Sequence, residues 1–260
     1  MSEPPDRLTV YPSSLRESPV GDAAVPRIEL REWAERYGAV AGITTRGRGF
    51  SLGLWSDENV GQVMSRWRAF RAAFHATFPA VILSHQVHGT TVQWHRQAPD
   101  GWLILDGVDG HATGAPGVLL TITVADCIPV YLVVPRKRVV ALLHAGWRGA
   151  VGRILERAVE LVRREALVTG AEIVMHCGVG ICGACYEVGS EVMTQLTGGA
   201  EVASGCVDLS ELLARQAQQL GLVAVSRSPW CSAHDREQFF SHRGSGGRDG
   251  RMIAYLGMPA

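Results

Sequence analysis

The stretch VLLTITVADCIPVYLVVPRKRVVALLHAGWRG, residues 118–149, holds three apolar, β-branched runs: Val118–Val124, Val130–Val134 and Val139–His144. Their near-continuous hydrophobicity is what strands covered on both faces require. Pro135-Arg136-Lys137-Arg138 reads as a hairpin turn joining the last two. After His144 and a glycine-bearing turn, Val151, Ile154, Leu155, Ala158, Val159 and Val162 recur at helical spacing, predicting a helix over Gly149–Ala166. Outward from this block, strands are predicted at Val81–Ser84, Thr91–Trp94, Leu222–Ser226 and Met252–Leu256, and Gly42–Gly47 reads as a strand running into a glycine loop. Helices are predicted over Glu29–Tyr37, over Glu58–Phe78, and from an Asp208 cap through Leu220. Strands occur both in hairpin order and separated by helices, so mixed sheets in an α+β layered domain are expected. Residues 1–25, rich in Pro, Ser and charge, are expected to form a flexible arm before a single domain at 26–260.

Lys plus Arg and Asp plus Glu both total 25, so the net charge is zero. Nucleic-acid and membrane-surface binding need a concentrated basic field and are disfavoured. Met1–Asp6 has no apolar signal core, and no stretch approaches a membrane span, so a cytoplasmic address is expected. In that compartment the six cysteines are thiols or ligands rather than disulfides.

Three segments carry the chemistry. His88 precedes Gly89, where the chain can turn and expose the ring. His85, three residues earlier on an extended strand, points to the opposite face, so only one of the two is expected in a given site. Cys127 follows Asp126 at the end of a strand, and His144 ends another. Taken singly, these read as a turn histidine, a buried thiol and a strand end. Together, two imidazoles and a thiolate favour zinc and leave a fourth position open, which is catalytic hardware. Asp126, flanked by apolar strands, must find a donor or face a cavity; it could orient a ligand, move a proton or cap a turn. Arg148 follows the glycine turn at a helix start and suits a phosphate or carboxylate. Phe239-Phe240 beside Arg243 and Arg248 suit a substrate with a ring and an anion. Cys182-Gly183-Ala184-Cys185 lacks a second cysteine pair at zinc-ribbon spacing. It is assigned to a glycine-rich site loop, Gly178–Glu187, with redox chemistry the weaker reading.

The order Gln86-Val87-His88-Gly89, Ala125-Asp126-Cys127-Ile128-Pro129, His144-Ala145-Gly146-Trp147-Arg148-Gly149, Cys185-Tyr186-Glu187-Val188-Gly189 and Phe239-Phe240-Ser241-His242-Arg243 resembles the laccase-domain family. Thr44-Thr45-Arg46, Ser51-Leu52-Gly53 and Val108-Asp109-Gly110 extend the likeness, which runs from about residue 40 to the C-terminus. Members were first labelled multicopper polyphenol oxidases and are now regarded as zinc-containing purine nucleoside phosphorylases. The resemblance implies zinc on His88, Cys127 and His144, a four-layer α/β/β/α sandwich, and a monomer. It also implies phosphorolysis of adenosine, inosine, guanosine and methylthioadenosine, with deamination of adenosine. Two positions depart from the family pattern, Ser51 in place of Asn and Val179 in place of Pro, which puts base preference in question more than reaction type.

On this reading Arg46, Arg148 and Arg243 are candidates to hold phosphate, and Asp126 or Glu187 to move protons; zinc would acidify a water for attack at C6 of adenine. A four-copper laccase site needs about ten histidines, mostly in His-x-His pairs. The chain has nine and no such pair, which excludes a conventional multicopper oxidase. Copper at the single site is not excluded, since copper outcompetes zinc at most N/S donors. Two other classes stay open: a copper-dependent polyphenol oxidase, and a thiol hydrolase using Cys127 with His144 as base.

Overall fold

The computed structural model describes residues 17–21, 24–199 and 202–260. The strands are β1 (Glu17–Pro19), β2 (Arg27–Leu30), β3 (Val40–Thr44), β4 (Ala80–His85), β5 (Val92–His95), β6 (Gly101–Asp106), β7 (Gly110–Thr113) and β8 (Val118–Val124). They continue as β9 (Ile128–Val134), β10 (Val139–Ala145), β11 (Val174–Cys177), β12 (Glu187–Val188), β13 (Gly205–Cys206), β14 (Ala224–Arg227) and β15 (Met252–Met258). The helices are α1 (Arg31–Tyr37), α2 (Val60–Phe74), α3 (Trp147–Val151), α4 (Ile154–Ala166), α5 (Ser190–Leu196), α6 (Leu209–Gln219) and α7 (His242–Ser245).

Two mixed sheets dominate. One has the order β1-β2-β3-β15-β8-β4-β6 and the other β14-β11-β9-β10-β7-β5. Alternation along the continuous apolar runs explains why both faces are covered. In β9, Tyr131 and Val133 face the first sheet's Ile82, Leu120 and Ile122, while Val130 and Leu132 face away from it. Those outward residues pack with Leu143 against Leu155, Val159 and Val162 of α4 and Leu213 of α6. On the far side, Val63, Trp67, Phe70 and Phe74 of α2 cover Val81, Leu83, Leu119 and Tyr255 of the first sheet. This helix–sheet–sheet–helix layering agrees with the order that the resemblance implied.

The hairpin expected at 135–138 forms, with Arg138 left-handed after a short 3₁₀ turn. Asp208 caps α6, its side chain accepting from the Glu211 N–H at 2.9 Å, and Asn59 caps α2 in the same way. Several expectations are corrected. Glu29 and Leu30 belong to β2, because Ile28 and Leu30 alternate into the inter-sheet core, and the helix starts only at Arg31. The single helix over Gly149–Ala166 is broken at Arg153, which is left-handed (φ 63°) and re-aims the chain into α4. Here Gly152 presses on Thr90; a Cβ would sit 2.6 Å from its methyl carbon. β6, β7 and β11 were not foreseen: β7 reads Gly-His-Ala-Thr, too short and small to register as an apolar run. Residues 1–16, 22 and 23 of the expected arm lie outside the described residues. Its described end departs from the expectation, since Glu17–Pro19 pairs with β2 and the buried Glu17 bonds His176 and Ser228.

Strand direction determines which loops meet. β4, β6 and β8 run parallel in the first sheet, and β5, β7 and β9 share one direction in the second. Each of β4, β6 and β8 therefore ends at the same edge and crosses to the other sheet there. β10 runs back antiparallel to β9, so its C-terminal end returns to that edge, with His144 opposite Pro129. The crossings carry His88, Asp109 and Cys127.

A buried hydroxyl bonds the two sheets together. Tyr131 of β9 donates to the Gly42 carbonyl of β3 at 2.9 Å. Tyr131→Phe is expected to lower unfolding free energy by about 1 kcal/mol with little change in the denaturant slope. An unmoved urea midpoint would show that this bond adds nothing to stability.

Candidate metal centre and active site

At the crossing edge the ligand atoms of His88, Cys127 and His144 all lie within 4.8 Å of one another. The two imidazole rings meet edge-on, 4.8 Å between centroids. The backbone achieves this at a cost: His88 (φ 58°) and Asp126 (φ 84°) both adopt left-handed conformations uncommon for side-chain-bearing residues. Gly146 lies against the cluster, where a Cβ would come 2.9 Å from the Cys127 sulfur.

The organising group is Asp109, fully buried in the β6–β7 crossing. Its carboxylate accepts the backbone N–H groups of Val87 (3.2 Å), His88 (3.0 Å) and Gly89 (2.8 Å). It also accepts Nδ1–H of His144 at 2.9 Å, which leaves Nε2 of that ring as the ligand atom. Burial pushes the Asp109 carboxyl up, but the His144 contact and these N–H donors prevail and hold it below the usual range. The sequence singled out Val108-Asp109-Gly110 only as a family match and assigned it no role. An isolated acid in a short loop gives no sign of its partners.

Cys127 and His144 form a charge pair in the absence of metal. Burial raises the thiol, yet the facing His144 and His88 outweigh it and bring Cys127 down to about 6. Burial lowers His144, but the Cys127 thiolate and Asp109 overcome it and raise the imidazole to about 9. A divalent cation can replace the proton they share. With two nitrogens, one sulfur and an oriented imidazole, the donor set fits zinc, and copper also prefers such donors.

The cluster forms part of the wall of a cavity of about 460 Å³, also lined by Trp55, His85, Asp126, Trp147, Arg148, Tyr186, Arg243 and Arg251. Arg148 lies over Trp147, 4.4 Å from the ring centroid. Arg243 lies over Tyr186 and donates to the Glu187 carbonyl at 2.7 Å. Among the described residues no carboxylate pairs with either guanidinium.

Other expected site residues are placed differently. Arg46 does not line the cavity; both oxygens of Asp249 hold it at 2.6 Å, and its charge is spent there. Phe239 and Phe240 are core residues of the inter-sheet layer, not a substrate platform. Asp126 does face the cavity, but its oxygens accept Ser232 Oγ and the Arg243 N–H, both at 2.6 Å. It ties α7, and with it Arg243, to the Cys127 loop rather than standing free as an acid. Both His85 and His88 line the cavity, contrary to the opposite-faces expectation, because the chain leaves the strand after His85. Only His88 joins the ligand cluster; His85 bonds Asp106 and stacks on Trp55 with 5.0 Å between centroids. Cys182 and Cys185 lie outside the cavity lining.

A family model described as multi-copper polyphenol oxidoreductase laccase matches residues 36–259. A protein named purine nucleoside phosphorylase YlmD, from Geobacillus stearothermophilus, is 32% identical over 249 residues, covering 85% of this chain and 90% of its own. One named adenosine deaminase RL5, from an unknown prokaryotic organism, is 34% identical over 166 residues, covering 57% and 62%. The crystal structure of YlmD from Geobacillus stearothermophilus superposes with a TM-score of 0.85 at 27% identity, over 94% of this chain and all of that one.

Asp109→Asn removes the acceptor that holds His144 and the His88 loop. It is expected to weaken zinc binding by about 10–100-fold, read by competition with a chromophoric chelator; equal affinity would strip Asp109 of its orienting role. In metal-stripped protein, alkylation of Cys127, followed by peptide mass spectrometry, is expected to rise with pH through a midpoint near 6. Added zinc should suppress that labelling, and unaltered labelling would place the metal elsewhere.

Proposed function

Since the chain belongs to the multi-copper polyphenol oxidoreductase laccase family, we propose that this enzyme is a zinc-dependent purine nucleoside phosphorylase that also deaminates adenosine. The observation that carries the reading is one cavity holding three donors that could bind a metal beside two guanidiniums, those of Arg148 and Arg243, that pair with no carboxylate among the described residues. Relatives named for purine nucleoside phosphorolysis and adenosine deamination support it. Substrates are adenosine, inosine, guanosine and methylthioadenosine with phosphate, released as free base and pentose 1-phosphate. Residues 26–260 act as one catalytic domain, in keeping with the extent of the family match. No helix is long and apolar enough to cross a membrane among the described residues. Six unbridged cysteines favour a reducing, cytoplasmic setting, and a monomer completes the reading.

His88, Cys127 and His144 would hold the zinc. When bound, the ion supplies Lewis-acid polarisation and acidifies water. Asp109 fixes the His144 tautomer so that Nε2 stays a donor to the ion and its ring cannot rotate away. Arg148, over the Trp147 ring, and Arg243, over Tyr186, are the groups to bind phosphate and steady charge as the glycosidic bond loosens. Asp126 positions Arg243 through its backbone N–H. Trp55, half-exposed and braced by His85, offers the flat apolar face a purine ring stacks on. A cavity of about 460 Å³ is within the size range of small-molecule sites and suits a nucleoside.

The multi-copper description does not fit the donors present. Among the described residues the metal-capable groups hold at most two histidines each, too few for a four-copper centre. A second reading has one specific observation in its favour. Cys127, His144 and Asp109 line up as nucleophile, base and orienting acid, which would serve a thiol hydrolase if no metal bound there.

Incubation with adenosine and phosphate is expected to yield adenine, ribose 1-phosphate and inosine by chromatography. His88→Ala should abolish all three products while sparing the Cys127–His144 pair; retained turnover would reject the metal reading and favour the thiol one. Arg148→Met should raise the KM for phosphate by about 10–100-fold, the loss of one charge-assisted hydrogen bond. An unchanged phosphate KM would move the anion site elsewhere.

A further inference from the structure

Away from the cavity lining, two short turns face each other. In the first, the Cys182 carbonyl accepts the N–H groups of Cys185 and Tyr186, both at 3.1 Å. In the second, the Cys231 carbonyl accepts the Asp235 N–H at 2.8 Å. The turns are zipped together by a parallel bridge between Gly180 and Cys231 and by the Ser232 N–H donating to the Gly180 carbonyl at 2.9 Å. Each turn presents two donors at x₂ spacing, Cys182-x-x-Cys185 and Cys231-x-x-His234. The donor atoms of all four lie within 4.8 Å of one another. Cys185 Sγ is 3.1 Å and Cys182 Sγ 3.8 Å from ring nitrogens of His234. The Cys231 sulfur accepts the Cys182 backbone N–H at 3.3 Å, which holds it beside the first turn.

We infer that Cys182, Cys185, Cys231 and His234 form a second, structural zinc site that clamps the two turns together. Zinc bonds of about 2.3 Å to sulfur and 2.0–2.1 Å to nitrogen in a tetrahedron place ligand atoms about 3.5–3.8 Å apart. The donors here already stand at that scale, so small adjustments close the shell. Three sulfurs and one imidazole select a soft or borderline ion and leave no position open for water, the mark of a structural rather than catalytic site. Disulfide pairing is the competing fate of neighbouring cysteines, but all six are free thiols. Cys231 is buried whereas His234 is exposed, so an ion has a way in from solvent.

The clamp would act on the cavity through its neighbours. Tyr186, next after Cys185, carries Arg243 on its ring, and Ser232, next after Cys231, bonds Asp126. Holding the turns together thus holds two elements of the cavity wall. The assignment stands on its own donors and does not depend on the reaction performed in the cavity.

The test is metal counting on untagged, zinc-reconstituted and desalted protein. Wild type is expected to hold about two zinc equivalents per chain, one closed site and one open site. His88→Ala/Cys127→Ser and Cys182→Ser/Cys185→Ser should each retain about one, the former from the clamp and the latter from the cavity. Should the second variant fail to fold, cobalt decides in the first, where only the clamp's thiolates remain in a cluster. A retained thiolate-to-cobalt charge-transfer band supports the site. Loss of that band, zinc content left unchanged by the Cys182→Ser/Cys185→Ser substitutions, or a Cys182–Cys185 disulfide in the zinc-loaded protein by non-reducing mass spectrometry would overturn it.

Discussion

A single buried carboxylate sets the geometry of the cavity. Asp109 has no solvent to satisfy it, so its charge must be met by protein donors. It gathers three consecutive backbone N–H groups from the His88 loop and the Nδ1–H of His144. One group therefore fixes the path of the loop that carries His88 and the tautomer of His144. Without it, the left-handed backbone at His88 would have no evident compensation. Ligand placement is thus an electrostatic consequence of burying one charge among four donors.

The sheets explain why those donors are near each other. Parallel β4, β6 and β8 end at one edge, and each passes to the second sheet there, delivering His88, Asp109 and Cys127 in turn. The antiparallel return of β10 adds His144 beside the start of β9. Close-packed apolar layers on both faces of both sheets support this edge, so the placement of the donors rests on a packed frame. Gly146 then keeps the approach clear for the Cys127 sulfur.

The same edge shows how charges compete for roles. Arg46 is held by Asp249 and spends its fork on structure, whereas Arg148 and Arg243 rest on aromatic rings with no carboxylate among the described residues. Asp126 is likewise occupied, by Ser232 and the Arg243 backbone. From residue type alone these arginines and acids are equivalent. Their environment decides which can meet a substrate and which are part of the frame. The aromatic residues divide in the same manner, Phe239 and Phe240 into the core and Trp55, Trp147 and Tyr186 onto the cavity wall.

The apolar strands at 118–124, 130–134 and 139–144, the Asp208 cap, and the donor types of His88, Cys127 and His144 are legible in the order of residues, because periodicity, capping and ligand chemistry are local or compositional. That order misses strands such as β7, whose Gly-His-Ala-Thr is buried by neighbours rather than by its own hydrophobicity. The folded chain alone reveals that Asp109 bonds both the His88 loop and His144, that both His85 and His88 reach the cavity, and that Cys231-x-x-His234 faces Cys182-x-x-Cys185. Those facts depend on which strands pair and in which direction. Pairing joins residues tens of positions apart, through contacts that leave no mark on either segment alone.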